Sequence, residues 1–441
     1  MSIVQIKLMG DYVKISAWKR PPFFYGWMIV AITIISMILI YGIRHSFSVF
    51  FAPILDEFGW SRGSIAIMLS LNIFIYGLLA PLAGTLVNRW RPRRVISFGI
   101  TILGLATAGC AFAGKLWHFY FLFGFLMPLG SAFSGWPILA PVLMNWFAKR
   151  RGLVMGLGQM GGGLSFVYSI FVQYTILQWG WRNAYLVLAV ILVILLLPLN
   201  LLFFVYHPKN KGLEAYGASE LSSTRDLPAG EVVPKNPPPF EWTLGQLMRT
   251  YQLWFLVLSY FLYWGVGNYL VLAHQVKFIE DAGFSSMFSA SVYALFGMTM
   301  CAGQLSGFIS DWMGREKTAT FAALLSVGGL LALISVRDAS QHWPLYIFSI
   351  CFGYGAGLFT PTIFAGSADI FYGRHFGVVA GLLLTGMGAG GAIGPWLGGY
   401  LYDISGNYTN AFVLSMGCNG FACISLWIAA PRNANRLRVR I

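Results

Sequence analysis

The chain has 441 residues, of which 57% are hydrophobic and only 10% are charged, and its formal net charge is +14. A soluble protein of this length normally carries about a quarter charged residues, so the composition argues against a soluble globular fold. The positive charge would suit a nucleic-acid-binding protein. However, the basic residues are scattered in short segments between apolar blocks, and they are not predicted to share one surface. Nucleic-acid binding is therefore not expected.

Long apolar blocks with almost no charged residues follow one another along the chain. A helix needs about 20 apolar residues to cross the hydrocarbon core of a bilayer, where it satisfies its own backbone polar groups. The blocks therefore predict an all-α membrane protein with twelve transmembrane helices. The predicted ranges are 25–52, 64–87, 95–114, 119–146, 152–178, 183–206, 251–278, 285–310, 318–336, 344–370, 377–402 and 408–430.

Most of the 29 Lys and Arg residues fall in segments that share one side of the membrane if the chain crosses it twelve times. Since cytoplasmic loops are enriched in Lys and Arg, this side is predicted to be cytoplasmic, with both termini on it. The basic residues outside these segments are Arg44, Arg62, Lys115, Arg182, Lys277 and Arg337.

The segment 207–250 divides the helices into two groups of six and is rich in proline. Such a composition predicts a linker. The expected organisation is a cytoplasmic N-terminal arm at 1–24, a six-helix bundle at 25–206, a cytoplasmic linker at 207–250, a second six-helix bundle at 251–430 and a cytoplasmic tail at 431–441.

The two groups of helices also match each other in sequence. Equivalent places are occupied by Gly84 and Gly307, by Pro137 and Pro361, and by Gly152 and Gly377. Parallel repeats of this kind are typical of transporters that rock two six-helix bundles around a central site.

The segments after the second and eighth helices resemble the signature of the major facilitator superfamily. The C-terminal copy fits well, whereas in the N-terminal copy Asn88 replaces the Asp of the signature and Arg91 replaces a Gly. The resemblance implies a major facilitator fold that works by alternating access, and it implies that the two copies help to close the cytoplasmic side. The residues assigned to this conformational motif are Gly84, Asn88, Arg89, Gly307, Asp311, Gly314 and Arg315.

Several local patterns are similar to the bacterial monocarboxylate and oxalate/formate branch of that superfamily. They are Tyr25-Gly26-Trp27, Phe58-Gly59-Trp60-Ser61-Arg62, Gly180-Trp181-Arg182 and His207-Pro208. The resemblance implies a monomeric carrier in a bacterial inner membrane that moves a small organic anion, without a cofactor or metal. One departure is that predicted helix 8 lacks the Arg that many monocarboxylate carriers have.

Arg44 lies inside predicted helix 1, about eight residues before its end, and thus roughly 12 Å deep. A buried Arg costs at least about 2.5 kcal/mol near the centre of a bilayer. An anionic substrate would offset this cost, because the planar guanidinium can donate two hydrogen bonds to a carboxylate. Tyr41 and Ser48 extend the same helical stripe. The alternative is that Arg44 reaches outward to pair with Asp56 or Glu57.

Two further groups complete the candidate substrate site. His45 adjoins Arg44 and is the candidate for proton coupling, because a histidine side chain can titrate in the physiological range; the alternative is a hydrogen-bonded interhelical histidine. Helix 7 is the repeat partner of helix 1, where Tyr269 corresponds to Arg44. Tyr260, Trp264 and Asn268 recur there every four residues, either as substrate contacts or as an aromatic packing face. Tyr76 and Trp136 are among the weaker candidates.

The sequence leaves a second transport function open, namely efflux or exchange of amphiphilic or drug-like molecules, which the 17% aromatic content suits. An enzyme or a membrane-embedded sensor is not expected, since the chain shows no nucleophile–base pairing and no His/Asp/Glu cluster. The glycine-rich runs in helices 5 and 11 lack a Gly-Lys-Ser/Thr sequence and indicate close helix packing.

Overall fold

The computed structural model describes residues 4–8, 11–15, 24–90, 92–147, 151–217, 242–371 and 376–433. Within these ranges, the side chains at 4–8, 11–15, 84–89, 151–152 and 433 are not described.

Long apolar helices make up most of the described chain. They are α1 (Tyr25–His45 and Phe47–Phe58), α2 (Arg62–Arg89), α3 (Pro92–Cys110), α4 (Leu116–Trp146, with a π-helical part Tyr120–Leu126), α5 (two segments, Arg151–Leu164 and 168–179), α6 (181–203), α7 (Tyr251–Tyr260, a π-helix Phe261–Asn268 and Tyr269–Asp281), α8 (Ser286–Met313), α9 (Arg315–Ser335), α10 (Trp343–Phe371), α11 (Phe376–Ser405) and α12 (Thr409–Ala429). Short helices cover Pro208–Lys211, Leu244–Arg249 and Pro431–Asn433.

By length and composition, the described residues contain 11 helical stretches able to cross a membrane. One of them, Leu153–Phe203, has 51 residues and would be about 75 Å long as a single helix, more than twice the thickness of the hydrocarbon core. Gly180 divides it, with φ 79° and ψ 161° in the middle of the stretch. This stretch therefore makes two crossings, α5 and α6, and the described chain contains the twelve predicted crossings in two bundles, α1–α6 and α7–α12.

A short antiparallel hairpin, Val4–Leu8 paired with Asp11–Ile15, precedes the first bundle. Its first strand reads Val-Gln-Ile-Lys-Leu, and this alternation of apolar and polar residues is typical of a β-strand. This hairpin was not predicted from the sequence. The membrane-spanning part of the protein remains entirely helical over the described residues.

The helix ends define two faces of the molecule. One face contains Tyr25, Trp90, Trp146 and Phe371 and is called the basic face. The other contains the ends of α1, α7 and α11 and is called the opposite face. The two bundles contact each other chiefly through α2 against α11 and through α5 against α8. These two pairs are equivalent under the repeat, in which α2 corresponds to α8 and α5 to α11.

On the opposite face, a cluster of polar and aromatic residues joins the end of α1 to the start of α6. Gly59 has φ 62° and ends α1 in the left-handed conformation that glycine adopts readily. Glu57 accepts hydrogen bonds from the Trp181 indole at 2.7 Å and from Arg182 at 2.6 Å. These contacts lie within the first bundle and give the Gly-Trp-Arg pattern a structural role.

Candidate functional site

Arg44 lies deeper in the molecule than the sequence suggested. Helix α1 was expected to end near residue 52, but it continues to Phe58 after a turn at Ser46. Arg44 is thus about 21 Å from the end of the helix rather than about 12 Å. Its side chain is buried, with 4% of the residue exposed. The position is close to the middle of the span, where an ionised side chain is most costly.

The described groups around Arg44 are all neutral. Its Nη2 donates a hydrogen bond to the Ser131 hydroxyl at 3.2 Å. Its guanidinium carbon lies 4.2 Å from the centre of the Tyr76 ring and 5.2 Å from that of Tyr41. The Tyr41 and Tyr76 hydroxyls are hydrogen-bonded to each other, and Tyr269 of the second bundle interacts with Arg44 from across the interface.

The alternative pairing of Arg44 with Asp56 or Glu57 is wrong. Glu57 is bound by Arg182, and Asp56 lies 3.8 Å from Lys277. Among the described residues, no Asp or Glu forms an ion pair with Arg44. The guanidinium is therefore a buried cation without a described counter-ion.

Helix α4 is interrupted beside this cation. It stops at Ser134, Gly135 takes an extended conformation (φ −96°, ψ −152°), and a new helical part begins at Trp136. The backbone of Trp136 interacts with the Tyr41 hydroxyl. The N-terminus of a helix carries a partial positive charge, and interrupted helices use it at the membrane midplane to bind anionic groups. Ser131 and this interruption were not identified from the sequence.

The His45 side chain contacts α5 and does not share the neighbours of Arg44. Its Nδ1 is 2.7 Å from the Ser165 hydroxyl between α5 segments, and its ring stacks on Phe166 at a centroid distance of 3.9 Å. The ring is only partly buried. The structure thus shows a hydrogen-bonded interhelical histidine next to the buried cation, and its titration remains a prediction.

The π-helix in α7 changes which residues share a face. A π-helix advances more residues per turn than an α-helix, so residues spaced by five rather than four become neighbours. Tyr269 therefore lies near Trp264, with a ring-centre distance of 5.9 Å, and both Tyr260 and Trp264 interact with Thr360. Tyr260, Trp264 and Tyr269 form the buried aromatic side of α7 toward α10 and the interface.

Asn268, which was predicted as a further substrate contact, does not share this face of α7. Its amide lies near the Tyr263 hydroxyl without meeting hydrogen-bond geometry, and Tyr263 is hydrogen-bonded to Ser326 in α9. Asn268 thus faces the interior of the second bundle. The four-residue spacing that suggested otherwise assumed a regular α-helix, and the π-helix removes that assumption.

On the opposite face, Arg62 at the start of α2 connects the two bundles. Its Nη1 lies 2.6 Å from the carboxylate of Asp281 and 2.8 Å from the Tyr408 hydroxyl. The carboxylate of Asp403 accepts hydrogen bonds from the backbone N–H groups of Arg62 and Gly63, at 3.1 and 2.9 Å. All three partners belong to the second bundle, so this network closes the opposite face.

His274 in α7 extends the network into the membrane span and was not predicted as a site residue from the sequence. Its Nε2 is 2.8 Å from the carbonyl oxygen of Pro395, which can only accept, and its Nδ1 is 3.2 Å from the Tyr408 hydroxyl. Nε2 therefore carries the ring proton of the neutral imidazole, and Nδ1 accepts a hydrogen bond from the Tyr408 hydroxyl. The signal available in the sequence was the position of this histidine inside the predicted span 251–278.

Contacts between the bundles extend from this network to the middle of the molecule. Gly77 packs against Gly388, and the Cys301 thiol lies 3.4 Å from the carbonyl oxygen of Met160. Closer to the basic face, the described residues form no hydrogen bond or ion pair between the bundles. The protein is thus closed on the opposite face.

The conformational motif of the second bundle lies at the basic face. Arg315 contacts Asp311 and donates a hydrogen bond to Asp369 at 2.8 Å, which joins the ends of α8, α9 and α10. Gly314, with φ 92°, forms the turn between α8 and α9, and Gly307 lies where a side chain would meet Pro361. In the first copy, the side-chain positions of Gly84, Asn88 and Arg89 lie outside the described residues, at the end of α2.

Comparisons with known proteins agree with this architecture. Residues 30–365 and 305–439 match the profile of the Major Facilitator Superfamily. The chain is 27% identical to monocarboxylate transporter 13 of Rattus norvegicus, over 93% of this chain and 92% of that protein. It is 26% identical to monocarboxylate transporter 11 of Homo sapiens, over 89% of this chain and 80% of that protein.

A solved structure with a similar fold is that of a bacterial homologue of the human lysosomal transporter Spinster, in an inward-facing and unoccupied conformation. The TM-score is 0.64 at 15% identity, over 94% of this chain and 98% of that one. The same assignment follows from the profile match, from the relatives and from the two six-helix bundles. The chain is a multi-pass membrane transporter, not an enzyme, and it belongs to the major facilitator superfamily.

Proposed function

We propose that the protein is a secondary active transporter for a small organic monoanion, most simply a monocarboxylate, and that Arg44 binds the carboxylate. The observation that carries the proposal is the burial of Arg44 among neutral groups. The Ser131 hydroxyl, two ring faces and Tyr269 replace only part of the hydration that a guanidinium loses on burial. A carboxylate held by two hydrogen bonds would supply the remainder.

The charge of the site supports a monoanion over a dianion or a cation. Among the described residues, Arg44 is the only ionised side chain near the middle of the spans. The acidic residues of the membrane helices all lie close to helix ends, namely Asp56, Glu57, Glu280, Asp281, Asp311, Glu316, Asp369 and Asp403. The N-terminus of the second part of α4 adds a partial positive charge. One bound carboxylate neutralises the site, whereas a second negative charge would have no fixed partner.

The two bundles contribute different parts of the site. Arg44, Tyr41, Tyr76 and Ser131 belong to the first bundle, and Tyr269 reaches the guanidinium from the second. A substrate bound between Arg44 and Tyr269 would contact both bundles. Its binding energy would therefore depend on how the bundles are positioned, which is the requirement for coupling substrate binding to rocking.

Several finer features belong to the same proposal. The basic face is cytoplasmic, both termini lie there, and the protein is a monomer of the bacterial inner membrane. Transport is proton-coupled, with His45 as the group that titrates beside Arg44. The arrangement closed at the opposite face then corresponds to the state that exchanges substrate with the cytoplasm.

The first test is uptake of a labelled panel of short monocarboxylates into proteoliposomes that contain only this protein. Arg44→Gln should reduce uptake at least about thirtyfold, because removing one partner of a buried charge-assisted pair typically costs 2–5 kcal/mol. The matched control is Arg337→Gln, which removes an exposed arginine in the α9–α10 loop and should leave uptake unchanged.

Each alternative has its own result in this assay. Uptake that is equal for wild type and Arg44→Gln would contradict the anchor role of Arg44. The efflux function would be favoured if no monocarboxylate were taken up and if an amphiphilic cation or dye were exported at the same rate by wild type and Arg44→Gln. Proton coupling requires that an inward-acid gradient accelerates uptake and that His45→Gln removes this acceleration.

A further inference from the structure

A recess lies on the basic face of the first bundle, away from Arg44. It has a volume of about 650 Å³ and forms between the start of α3 and the segment that follows α6. The helices α3 and α6 pack together here, where the Asn200 amide donates hydrogen bonds to the Arg93 carbonyl oxygen at 3.0 Å and to Ser97 at 2.8 Å. The residues that line the recess are Pro92, Arg93, Arg94, Val205, Tyr206, Asn210 and Lys211.

The recess collects positive charge that the described residues do not neutralise. Arg93, Arg94 and Lys211 line it, and none of the three forms an ion pair with a described Asp or Glu. Arg93 is held in place by a hydrogen bond from its Nε to the Phe204 carbonyl oxygen at 2.6 Å. The Lys211 Nζ lies 3.7 Å from the centre of the Tyr25 ring. Positive charge that only set the membrane orientation would not need to converge on one concave site.

The position of the recess along the membrane normal is indicated by the neighbouring surface. At the end of α6, Leu201, Leu202 and Phe203 are 54%, 68% and 41% exposed. Phe98, in the second turn of α3, is 56% exposed. Exposed apolar side chains on a membrane helix face lipid chains, and the polar segment Pro208–Lys211 follows directly. The recess therefore lies at the level of the lipid headgroups.

We propose that this recess binds the phosphate group of an anionic phospholipid, whose acyl chains run along α3 and α6. Basic pockets between membrane helices bind such headgroups because a phosphate oxygen accepts several charge-assisted hydrogen bonds. Arg94 and Lys211 supply these donors from two separate segments, and the Asn210 amide is available beside them. The bound lipid would join the start of α3 to the chain after α6 and stabilise the first bundle.

The test is the thermal stability of the purified full-length protein in an uncharged detergent, with added lipid. Phosphatidylglycerol should raise the melting temperature by about 2–4 °C more than phosphatidylcholine with the same acyl chains. Arg94→Gln/Lys211→Gln should abolish this difference. Each single substitution should reduce it, which keeps the test informative if the double variant does not fold. The matched control is Arg249→Gln/Lys317→Gln, which removes two exposed basic residues elsewhere on the basic face and should keep the full difference.

Three results would overturn the proposal. The first is an equal effect of phosphatidylglycerol on the recess variant and on wild type, which would show binding elsewhere. The second is the same loss in the control variant, which would indicate general surface charge. The third is full stabilisation by glycerol 3-phosphate or inorganic phosphate without lipid, which would assign the recess to a soluble phosphate compound. Native mass spectrometry of the two lipids, mixed in equal amounts, provides an independent count of bound phosphatidylglycerol.

Discussion

Arg44 is the residue on which the proposed transport function depends, and its surroundings explain why a substrate would bind there. Its described partners are the Ser131 hydroxyl, the rings of Tyr41 and Tyr76, and Tyr269, which are all neutral, so its charge is stabilised only in part. A buried ion without a counter-ion is unfavourable, and a mobile anion that enters the site removes this cost. The same reasoning explains why an exposed arginine such as Arg337 cannot serve this purpose.

The shape of the Arg44 side chain should matter as well as its charge. Arg44→Lys keeps a positive charge but replaces the planar fork with a point charge, which cannot donate two parallel hydrogen bonds to a carboxylate. We expect KM for the transported monocarboxylate to rise by about tenfold or more, which corresponds to ~1.4 kcal/mol. Initial rates over a range of substrate concentrations measure this, and an unchanged KM would indicate recognition by charge alone.

Ser131 should act through Arg44, because its hydroxyl accepts the guanidinium hydrogen bond. Ser131→Ala should raise KM about 2- to 10-fold, as expected for losing a hydrogen bond worth ~0.5–1.5 kcal/mol. Ser134→Ala is the matched control, since its hydroxyl bonds to the Gly130 carbonyl oxygen in its own helix at 2.8 Å. Equal KM values for the two variants would remove Ser131 from the site.

At the scale of the helices, departures from regular α-helix determine which side chains reach the site. The π-helix Phe261–Asn268 brings Tyr269 close to Trp264 and turns Asn268 away. The interruption at Gly135 directs a helix N-terminus toward Tyr41. Both features depend on packing between helices, because π-turns and unpaired backbone groups are unfavourable in an isolated helix.

The approach of α2 to α11 is a second property of helices that can be tested. A side chain on Gly399 would place its Cβ 2.6 Å from the backbone nitrogen of Gly63, and backbone atoms cannot move aside as a flexible side chain can. Gly399→Ala should therefore oppose closure of the opposite face and reduce the maximal transport rate severalfold. Gly417→Ala in α12 is the control, because a side chain there meets open space. Reduction of transport by both variants would point to a general effect of alanine on these helices.

At the scale of the whole molecule, the Arg62 network holds the bundles together on the opposite face. It includes an ion pair to Asp281, two backbone hydrogen bonds to Asp403 and a link through Tyr408 to His274. Alternating access requires that contacts on one face break when those on the other face form. The network must therefore open in each transport cycle.

Removal of the Arg62 side chain should shift the population toward a form that is open on the opposite face. Spin labels at Lys115 and Arg337, in exposed loops of the two bundles on this face, report the separation of the bundles. In Arg62→Gln, we expect a severalfold larger population at the longer distance. Arg182→Gln is the control because Arg182 pairs with Glu57 inside the first bundle. An identical distance distribution in Arg62→Gln and wild type would mean that the network does not hold the closed form.

Much of this architecture follows from the sequence because the bilayer imposes strong local constraints. A membrane span must be long, apolar and helical, so the twelve crossings and the duplication could be read from apolar blocks and matched glycines. The cost of burying a charge singled out Arg44 by the same local argument. His274 also lies inside a predicted span, so the same local argument applies to it.

Tertiary structure alone decided which neighbours these residues meet. Whether Arg44 pairs with Glu57 or remains with neutral groups depends on Arg182, which lies more than 100 residues away in sequence and occupies Glu57. The choice between Asn268 and Tyr269 depends on a π-helix stabilised by packing, and the closure by Arg62 depends on three residues of the second bundle. The spans and the buried cation could be predicted from local sequence, because they follow from transfer of each segment into the bilayer. Its partners required the fold, because they result from contacts between distant helices.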